Sequence, residues 1–399
     1  PESRAHPEKL LQGGAGGSAQ VSPFITPKEK PLQSANFWKS PNFTYFISGL
    51  AVGDVDGDGL QETVIVSPDE VTIYRFQNNT FGKVHLLKKA PDRYNIAVDV
   101  ADINGNGRAE IFVTALNRYK NAVTSYVVEY DGTGYEVIAK DQPWYFRVTD
   151  TPVRGKVLLG QQNRSNTPYK GRIYEMQWSG GAYVEQSEVN TPPSGVSVLG
   201  VALGDVLNDT AETLVACDSG NNLVIATPSG DSLWKGGDKY CGSVQYYAGP
   251  KSDKGQEENP IYLPMRLLVH HQAGAGLKNQ VIAVNNHEVA GMRWNRRDFT
   301  EANIEALVWD GASLRNAWST RTMSRFISDI QIADFDNDGR DELVASLVIK
   351  AGEIILTSAR STVIAYELDT APDNATAKDN EDNRQNHKGN RGGTADQGR

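Results

Sequence analysis

The chain has 399 residues, a net charge of −9 and 38 glycines, and 39% of its residues are hydrophobic. An acidic chain argues against a nucleic-acid-binding surface, so we expect no nucleic-acid partner. No apolar run approaches the roughly 18 residues of a membrane-spanning helix, so we expect no membrane span in this chain. The glycines and the 16 tyrosines favour short strands and tight turns over helices.

The two ends of the chain differ in composition from its centre. The chain begins at Pro1 without an initiator Met or a signal peptide, which favours a mature form or a fragment. Residues 1–36 hold a glycine-rich run and several prolines, and are predicted to be a flexible linker. Residues 371–399 are polar with almost no apolar side chains, which predicts a disordered tail. The folded domain is therefore expected at 37–370.

Three stretches of the central region share one pattern of acids, amides and glycine. Each has an acid or amide at positions 1, 3 and 5, a glycine at 6 and a glutamate at 9. With position 7, which would offer its backbone carbonyl, the candidate ligands are Asp54, Asp56, Asp58, Leu60 and Glu62; Asp102, Asn104, Asn106, Arg108 and Glu110; and Asp334, Asp336, Asp338, Arg340 and Glu342. Calcium prefers roughly six to eight such hard oxygen ligands, so we predict about three Ca²⁺ sites.

The residues that follow each stretch distinguish these loops from EF-hands. An EF-hand needs a glutamate at position 12, where this chain has Ile65, Val113 and Ala345. Strand-like apolar runs begin directly after the glutamate at position 9. The loops are therefore predicted to join two β-strands. Ten of the candidate ligands are acidic residues, so much of the net negative charge is interpreted as metal ligand.

An internal repeat surrounds these loops. Six alternating apolar runs occur, five of them followed by an Asn, Gly or Asp turn, which is typical of β-hairpins. The sixth run, near Val363–Leu368, has no following strand. Trp38 precedes Asp54 by 16 residues, as Trp318 precedes Asp334, so Phe37-Trp38-Lys39 is predicted to be the missing fourth strand of the last repeat. Such pairing would close a ring of small sheets and cover an exposed edge.

The loop pattern and its flanking strands resemble the FG-GAP/VCBS repeats of integrin-like β-propellers. The resemblance covers nearly all of residues 37–370, although the loop motif recurs in three repeats only. It implies an all-β propeller with calcium in the hairpin between the first two strands of a blade. We expect six blades, with seven as the alternative. The fourth repeat, Asp205–Glu212, lacks the glycine and is one residue short, so it is not predicted to be a site.

Cysteine and histidine give weaker signals. Cys217 ends the second strand of its repeat and Cys241 follows the fourth. Strands two apart lie roughly 9–10 Å from each other, which is too far for a disulfide unless the chain turns back. A zinc or copper site at His270, His271 and His287 is disfavoured, because adjacent residues of a strand point to opposite faces.

The sequence favours a non-enzymatic binding, scaffold or adhesion module with a protein or polysaccharide partner. We expect it in the periplasm, on an outer surface or secreted, because weak calcium loops fill only where calcium is abundant. One alternative is a lectin-like propeller, which would show a cluster of exposed Trp and Tyr on one rim. A less favoured alternative is a polysaccharide lyase or hydrolase, which would need paired acids or a basic residue in the central channel. No catalytic residue is predicted.

Overall fold

A computed structural model describes residues 25–27, 37–87, 92–163, 168, 171–189, 195–227, 230–250, 259–272, 276–289, 297–350 and 359–368. Within these residues the chain is almost entirely β, with one 3-10 turn at Val198–Gly200. No helix among them has the length and apolarity needed to cross a membrane. The predicted tail at 371–399 lies outside the described residues. The same holds for the predicted linker at 1–36, apart from residues 25–27.

The strands form six blades around a central axis, as predicted. Two strands precede them: β1 (Ile25–Pro27) and β2 (Phe37–Lys39). Blades one to three are β3 (Gly49–Gly53), β4 (Glu62–Val66), β5 (Val71–Gln77) and β6 (Thr80–Leu86); β7 (Arg93–Ala101), β8 (Glu110–Asn117), β9 (Ser125–Tyr130) and β10 (Tyr135–Gln142); and β11 (Trp144–Thr151), β12 (Gly155–Gln162), β13 (Ile173–Ser179) and β14 (Ala182–Val189).

The remaining strands complete the ring. Blade four and the hairpin inserted after it are β15 (Val201–Gly204), β16 (Thr213–Cys217), β17 (Asn222–Ala226) and β18 (Ser232–Lys239), then β19 (Tyr246–Gly249) and β20 (Asn259–Tyr262). Blades five and six are β21 (Leu268–His270), β22 (Gln280–Glu288), β23 (Phe299–Trp309), β24 (Leu314–Thr320) and β25 (Met323–Ser324), then β26 (Phe326–Ala333), β27 (Glu342–Lys350) and β28 (Arg360–Glu367). The strand β1 pairs with the outer edge of β24.

Burial falls from the inner to the outer strand of a blade. Every residue of β3 and β4 is buried, whereas most of β6 is exposed or half-buried. Inner strands pack against the neighbouring blades on both faces, so they read as continuous apolar runs, while outer strands alternate with polar residues. The loops that follow the inner strands are therefore attached to fully buried, well-packed strands.

The predicted closure of the ring is confirmed. The strand β2 pairs antiparallel with β28, and Trp38 lies opposite Ala365. The Trp38 indole, half-buried, contacts the rings of Phe76, Phe81 and Phe335, with ring centroids 5.1–5.5 Å apart. Those rings come from blade one and from the loop of blade six, so Trp38 joins the first and last blades of the ring.

The structure contains a disulfide between Cys217 and Cys241, with their Cα atoms 6.4 Å apart. The spacing of regular strands argued against this bond. The chain turns back at Cys241, which has a φ of +57°. Its backbone N–H then donates to the carbonyl of Val284 in blade five. That turn brings both buried cysteines within bonding distance, which the count of strands could not reveal.

A buried ion network crosses the centre of the ring. Arg266, in the segment between β20 and β21, contacts Asp99 of blade two at 2.7 Å and Asp329 of blade six at 3.0 Å. Arg147 of blade three lies 3.2 Å from Asp99. The Asp329 carboxylate also accepts a hydrogen bond from the backbone N–H of Leu50 in blade one. All four charged side chains are buried, and their charges cancel, as burial of ions requires.

Replacing Arg266 with Met should destabilise the fold by about 3–5 kcal/mol, because it leaves Asp329 buried without its guanidinium partner. The double variant Arg266→Met/Asp329→Asn should recover part of that loss. Urea unfolding measures both. The control is Arg154→Ala, which breaks an ion pair whose arginine is 37% exposed and should cost under about 1 kcal/mol. An Arg266→Met variant as stable as the control would mean that the network does not hold the blades together.

Candidate metal loops and central channel

The three predicted loops connect the first two strands of blades one, two and six. Glycine at position 6 has a positive φ in each: +88° at Gly59, +84° at Gly107 and +88° at Gly339. A side chain would resist this conformation, so the glycine lets the turn tighten. The acid at position 1 accepts the backbone N–H of that glycine at 2.8–3.0 Å in all three loops. One local conformation is therefore repeated three times.

The glutamate at position 9 locks each loop onto its blade. Glu62, Glu110 and Glu342 are buried, and each accepts the backbone N–H of position 2 at 2.7–3.0 Å. Burial raises the pKa of Glu342 to about 8, and the hydrogen bond from Phe335 offsets only part of this effect. Burial also raises the pKa of Glu110, although a hydrogen bond from Tyr183 opposes the change. Buried carboxylates with raised pKa values are ones that lack a sufficient counter-charge.

The acidic side chains converge in the loops of blades one and six. Oxygens of Asp54, Asp56 and Asp58 lie within 4.8 Å of one another, as do those of Asp334, Asp336 and Glu342. The spacing suits one cation shared by three carboxylates. The donor sets therefore fit calcium in chemistry, with hard anionic oxygens on a rigid turn. In the loop of blade six, Asp338 contacts Arg340 at 2.6 Å. In the loop of blade one, the guanidinium of Arg75, which belongs to β5, lies among the acids.

The second loop has fewer charges. Asp102 and Glu110 are its acids, and Asn104 and Asn106 supply amides. Both amide nitrogens donate to Glu129 of strand β9, at 2.5 and 2.7 Å. Sequence reasoning missed Glu129, because it lies outside the loop and reaches it only through strand pairing.

Position 7 of each loop was predicted to offer its carbonyl. The backbone N–H groups of Leu60, Arg108 and Arg340 each donate to the side chain at position 5, at 2.9 Å. The Arg108 guanidinium donates to the carbonyl of Tyr130 at 3.2 Å. Ligation by these three carbonyls, like that by the side chains above, stays a prediction.

The loop of blade four keeps the backbone hydrogen bonds of the other loops but lacks the buried glutamate. Asp205 accepts the N–H groups of Asp209 and Thr210, as the first acid does in the other loops. The hydroxyl of Thr213 takes the place of the buried glutamate and accepts from Val206 at 3.3 Å. Glu212 instead pairs with Arg154. That this loop is not a metal site stays a prediction.

A polar cavity of about 620 Å³ opens in the channel on the side of the candidate metal loops. It is lined by Asp150, Lys156, His270, His271 and Asp341, with Arg266 among its walls. Desolvation lowers the pKa of Lys156, while the charge of Asp150 opposes that shift. His270 is nine-tenths buried and its Nδ1 has no hydrogen-bond partner within the described structure. A basic group and acids thus meet in the channel.

The structure also places the histidines and the aromatic residues that could form a binding site. His287 pairs with Glu301 near one end of β22, whereas His270 pairs with Gln280 at the other, so they do not share a metal site. A lectin-like rim would need exposed aromatic residues, but Trp144, Tyr145, Phe146, Tyr240 and Tyr247 are buried. Tyr246 is half-buried, and Tyr169 and Trp294 lie outside the described residues. Among described aromatic residues, the large exposed side chain is Tyr119, which is 63% exposed.

Comparison with known proteins supports the repeat and the fold. Residues 54–113 match the model of the FG-GAP-like repeat, which spans the first two loops. No curated protein matches the sequence at a significant level. The chain therefore contains an FG-GAP-like repeat within a six-bladed β-propeller.

Solved structures resemble the chain at low identity. BBS1N in complex with ARL6DN is 11% identical, with 84% of this chain and 98% of that chain covered and a TM-score of 0.45. The PQQ-bound aldose sugar dehydrogenase of Streptomyces coelicolor is 10% identical, with 86% and 100% covered and a TM-score of 0.42. The Dos1 propeller is 10% identical, with 82% and 69% covered and a TM-score of 0.35. At such values the similarity carries no argument about function.

Proposed function

We propose that the chain is a calcium-stabilised binding module that recognises a protein partner outside the cytoplasm. The convergence of three carboxylates, Asp334, Asp336 and Glu342, in the loop of blade six supports the calcium part. When bound, the cation would supply the positive charge that these acids share. The chain's own residues fix the loops through the buried glutamate and the glycine turn, so the metal would rigidify a preformed site.

The observation that carries the binding role is an ordered basic and aromatic tip. It consists of Arg118, Tyr119 and Lys120, between β8 and β9, at the opposite end of β8 from the metal loop. The Arg118 guanidinium lies 4.8 Å from the Tyr119 ring centroid, and both residues are exposed. The Lys120 ammonium is held against the rings of Tyr94 and Tyr246, at 3.7 and 4.1 Å. Rigid Tyr and Arg side chains are the residues that dominate binding energy at protein interfaces.

The inserted hairpin β19–β20 supports this tip from behind. The backbone N–H of Ala248 donates to the carbonyl of Lys120 at 2.8 Å, and the Tyr247 hydroxyl donates to the carbonyl of Asn121. A preorganised loop loses little conformational entropy on binding. The positive charge of the tip suits an acidic patch on the partner, in contrast to the net negative charge of the whole chain.

Two features support a location outside the cytoplasm. The Cys217–Cys241 disulfide belongs to a class of bond that persists mainly in oxidising compartments. Exposed calcium loops of moderate charge also need the higher calcium concentrations found outside the cytoplasm. The periplasm, an outer surface and the secreted state satisfy both conditions.

Calcium should raise the melting temperature relative to EDTA, and the rise should be larger at pH 8 than at pH 5. Burial raises the pKa of Glu342 in the folded chain to about 8, above the 4.5 of the free side chain. Its contribution to metal-free stability is therefore present at low pH and is lost as the pH rises through about 8. Bound calcium offsets that loss, contributing about 2.7 kcal/mol per site at a hundredfold excess over Kd.

Differential scanning calorimetry in millimolar calcium, in EDTA and in millimolar magnesium, at both pH values, checks this expectation. Glu342→Gln is the matched variant, because it keeps an acceptor for Phe335 but cannot ionise. It should lose less stability between pH 5 and pH 8 in EDTA. Superimposable curves in calcium and EDTA at both pH values would exclude calcium stabilisation.

A photocrosslinking residue placed at position 119 should capture the protein partner in the cells that make this chain. The same residue at Val153, an 86% exposed position on the other face, is the matched control. We expect an adduct from position 119 alone, and its loss when Arg118 is changed to Glu. Equal adducts from both positions, or none from position 119, would contradict binding at this tip.

The channel favours a second candidate function, cleavage of an acidic polysaccharide. Lys156 could act as a base, and Asp150 and Asp341 lie in the same cavity. Incubation with uronate-containing polysaccharides, followed by ultraviolet detection of unsaturated products, tests it. Activity that is lost in Lys156→Ala but kept in Arg118→Glu would favour this function. Inactivity of the wild-type chain on every such polymer tested would reject it.

A further inference from the structure

In blades one, two and six, one position on the third strand faces the candidate metal loop. It is the strand neighbour of the glutamate at position 9. In blade one Glu62 lies opposite Arg75, and in blade six Glu342 lies opposite Glu367. In blade two, Ile111 pairs with Val128, which places Glu110 beside Glu129. The same register position therefore carries a cation in one blade and an acid in the other two.

In blade one the Arg75 guanidinium enters the group of acids. One Nη lies 2.8 Å from Asp56 and the other 2.8 Å from Asp58, and the guanidinium also contacts Glu62. The Arg75 side chain is only 16% exposed. It thus joins Asp56, Asp58 and Glu62 from within the blade, and Asp56 and Asp58 are two of the three acids that could share a bound cation. The planar guanidinium gives one donor to each acid.

In blades two and six the third strand adds negative charge. Glu129 reaches both amides of the second loop, at 2.5 and 2.7 Å. Glu367 is buried and contacts Arg340, whose side chain is 53% exposed. Arg340 belongs to the loop itself and can swing into solvent on its long stem, whereas Arg75 is enclosed. Glu129 therefore adds negative charge beside its loop, whereas Glu367 pairs with Arg340.

We propose that Arg75 serves as a built-in cation that replaces calcium in blade one, so that calcium occupies the loops of blades two and six. This inference rests on the calcium binding proposed above. A divalent ion among Asp54, Asp56 and Asp58 would lie beside the guanidinium and be repelled by it. A loop with four acids is thus the one without metal, and the loop with two asparagines gains its missing charge from Glu129.

Counting bound calcium tests the inference directly. Protein is stripped with EDTA, dialysed against calcium, and the bound metal is measured by elemental analysis and by titration calorimetry. The wild-type chain should bind two ions per molecule, and Arg75→Gln should bind three. Arg154→Gln, a matched loss of an arginine in blade three, should bind two. Asp56→Asn should leave the wild-type count unchanged, whereas Glu129→Gln should weaken one site at least tenfold.

Melting curves give a second readout. In EDTA, Arg75→Gln should melt below the wild type, because three acids lose their counter-charge, and calcium should restore more stability to it than to the wild type. Three ions in the wild type, or two in Arg75→Gln, would overturn the role of Arg75 while leaving calcium binding intact. No bound calcium in any variant would instead refute the calcium proposal itself.

Discussion

The fold depends on compensating charge at the centre of the ring. A propeller encloses a channel where the inner strands converge, and here four buried side chains fill part of it: Asp99, Arg147, Arg266 and Asp329. Buried ions are costly unless each is paired and hydrogen-bonded. The network meets this condition through Arg266, which also donates to the carbonyl of Val98 at 2.6 Å. It links blades one, two, three and six to the segment that enters blade five.

Closure of the ring uses a different interaction. The strand β2 is far from β28 in the sequence, yet it completes the last blade through backbone pairing and through the aromatic contacts of Trp38. The contacts of Trp38 are apolar and lie toward the rim, whereas the ionic network lies near the axis of the ring. Because the two sets of contacts lie in different parts of the ring, neither can replace the other.

Sequence reasoning predicted the features that are encoded locally. A nine-residue loop pattern, an alternating strand and an equal Trp–Asp spacing each lie within a short window, and the corresponding loops, blades and closing strand are present. The Cys217–Cys241 bond depends instead on a single turn with positive φ. The contact between Arg266 and Asp99 joins residues 167 positions apart in the sequence, and no periodic pattern predicts such a pair. Long-range polar contacts were therefore beyond prediction from one sequence.

The metal loops show the same division between local and distant information. By charge count within the loops alone, the loop with Asn104 and Asn106 would be the weakest calcium site. Strand pairing would change that ranking, because the residue opposite the glutamate contributes as much charge as a ligand within the loop. Arg75 cancels one charge in a loop with four acids, and Glu129 adds one beside a loop with two. Repeats that look alike within nine residues can thus differ in function through a single position on the neighbouring strand.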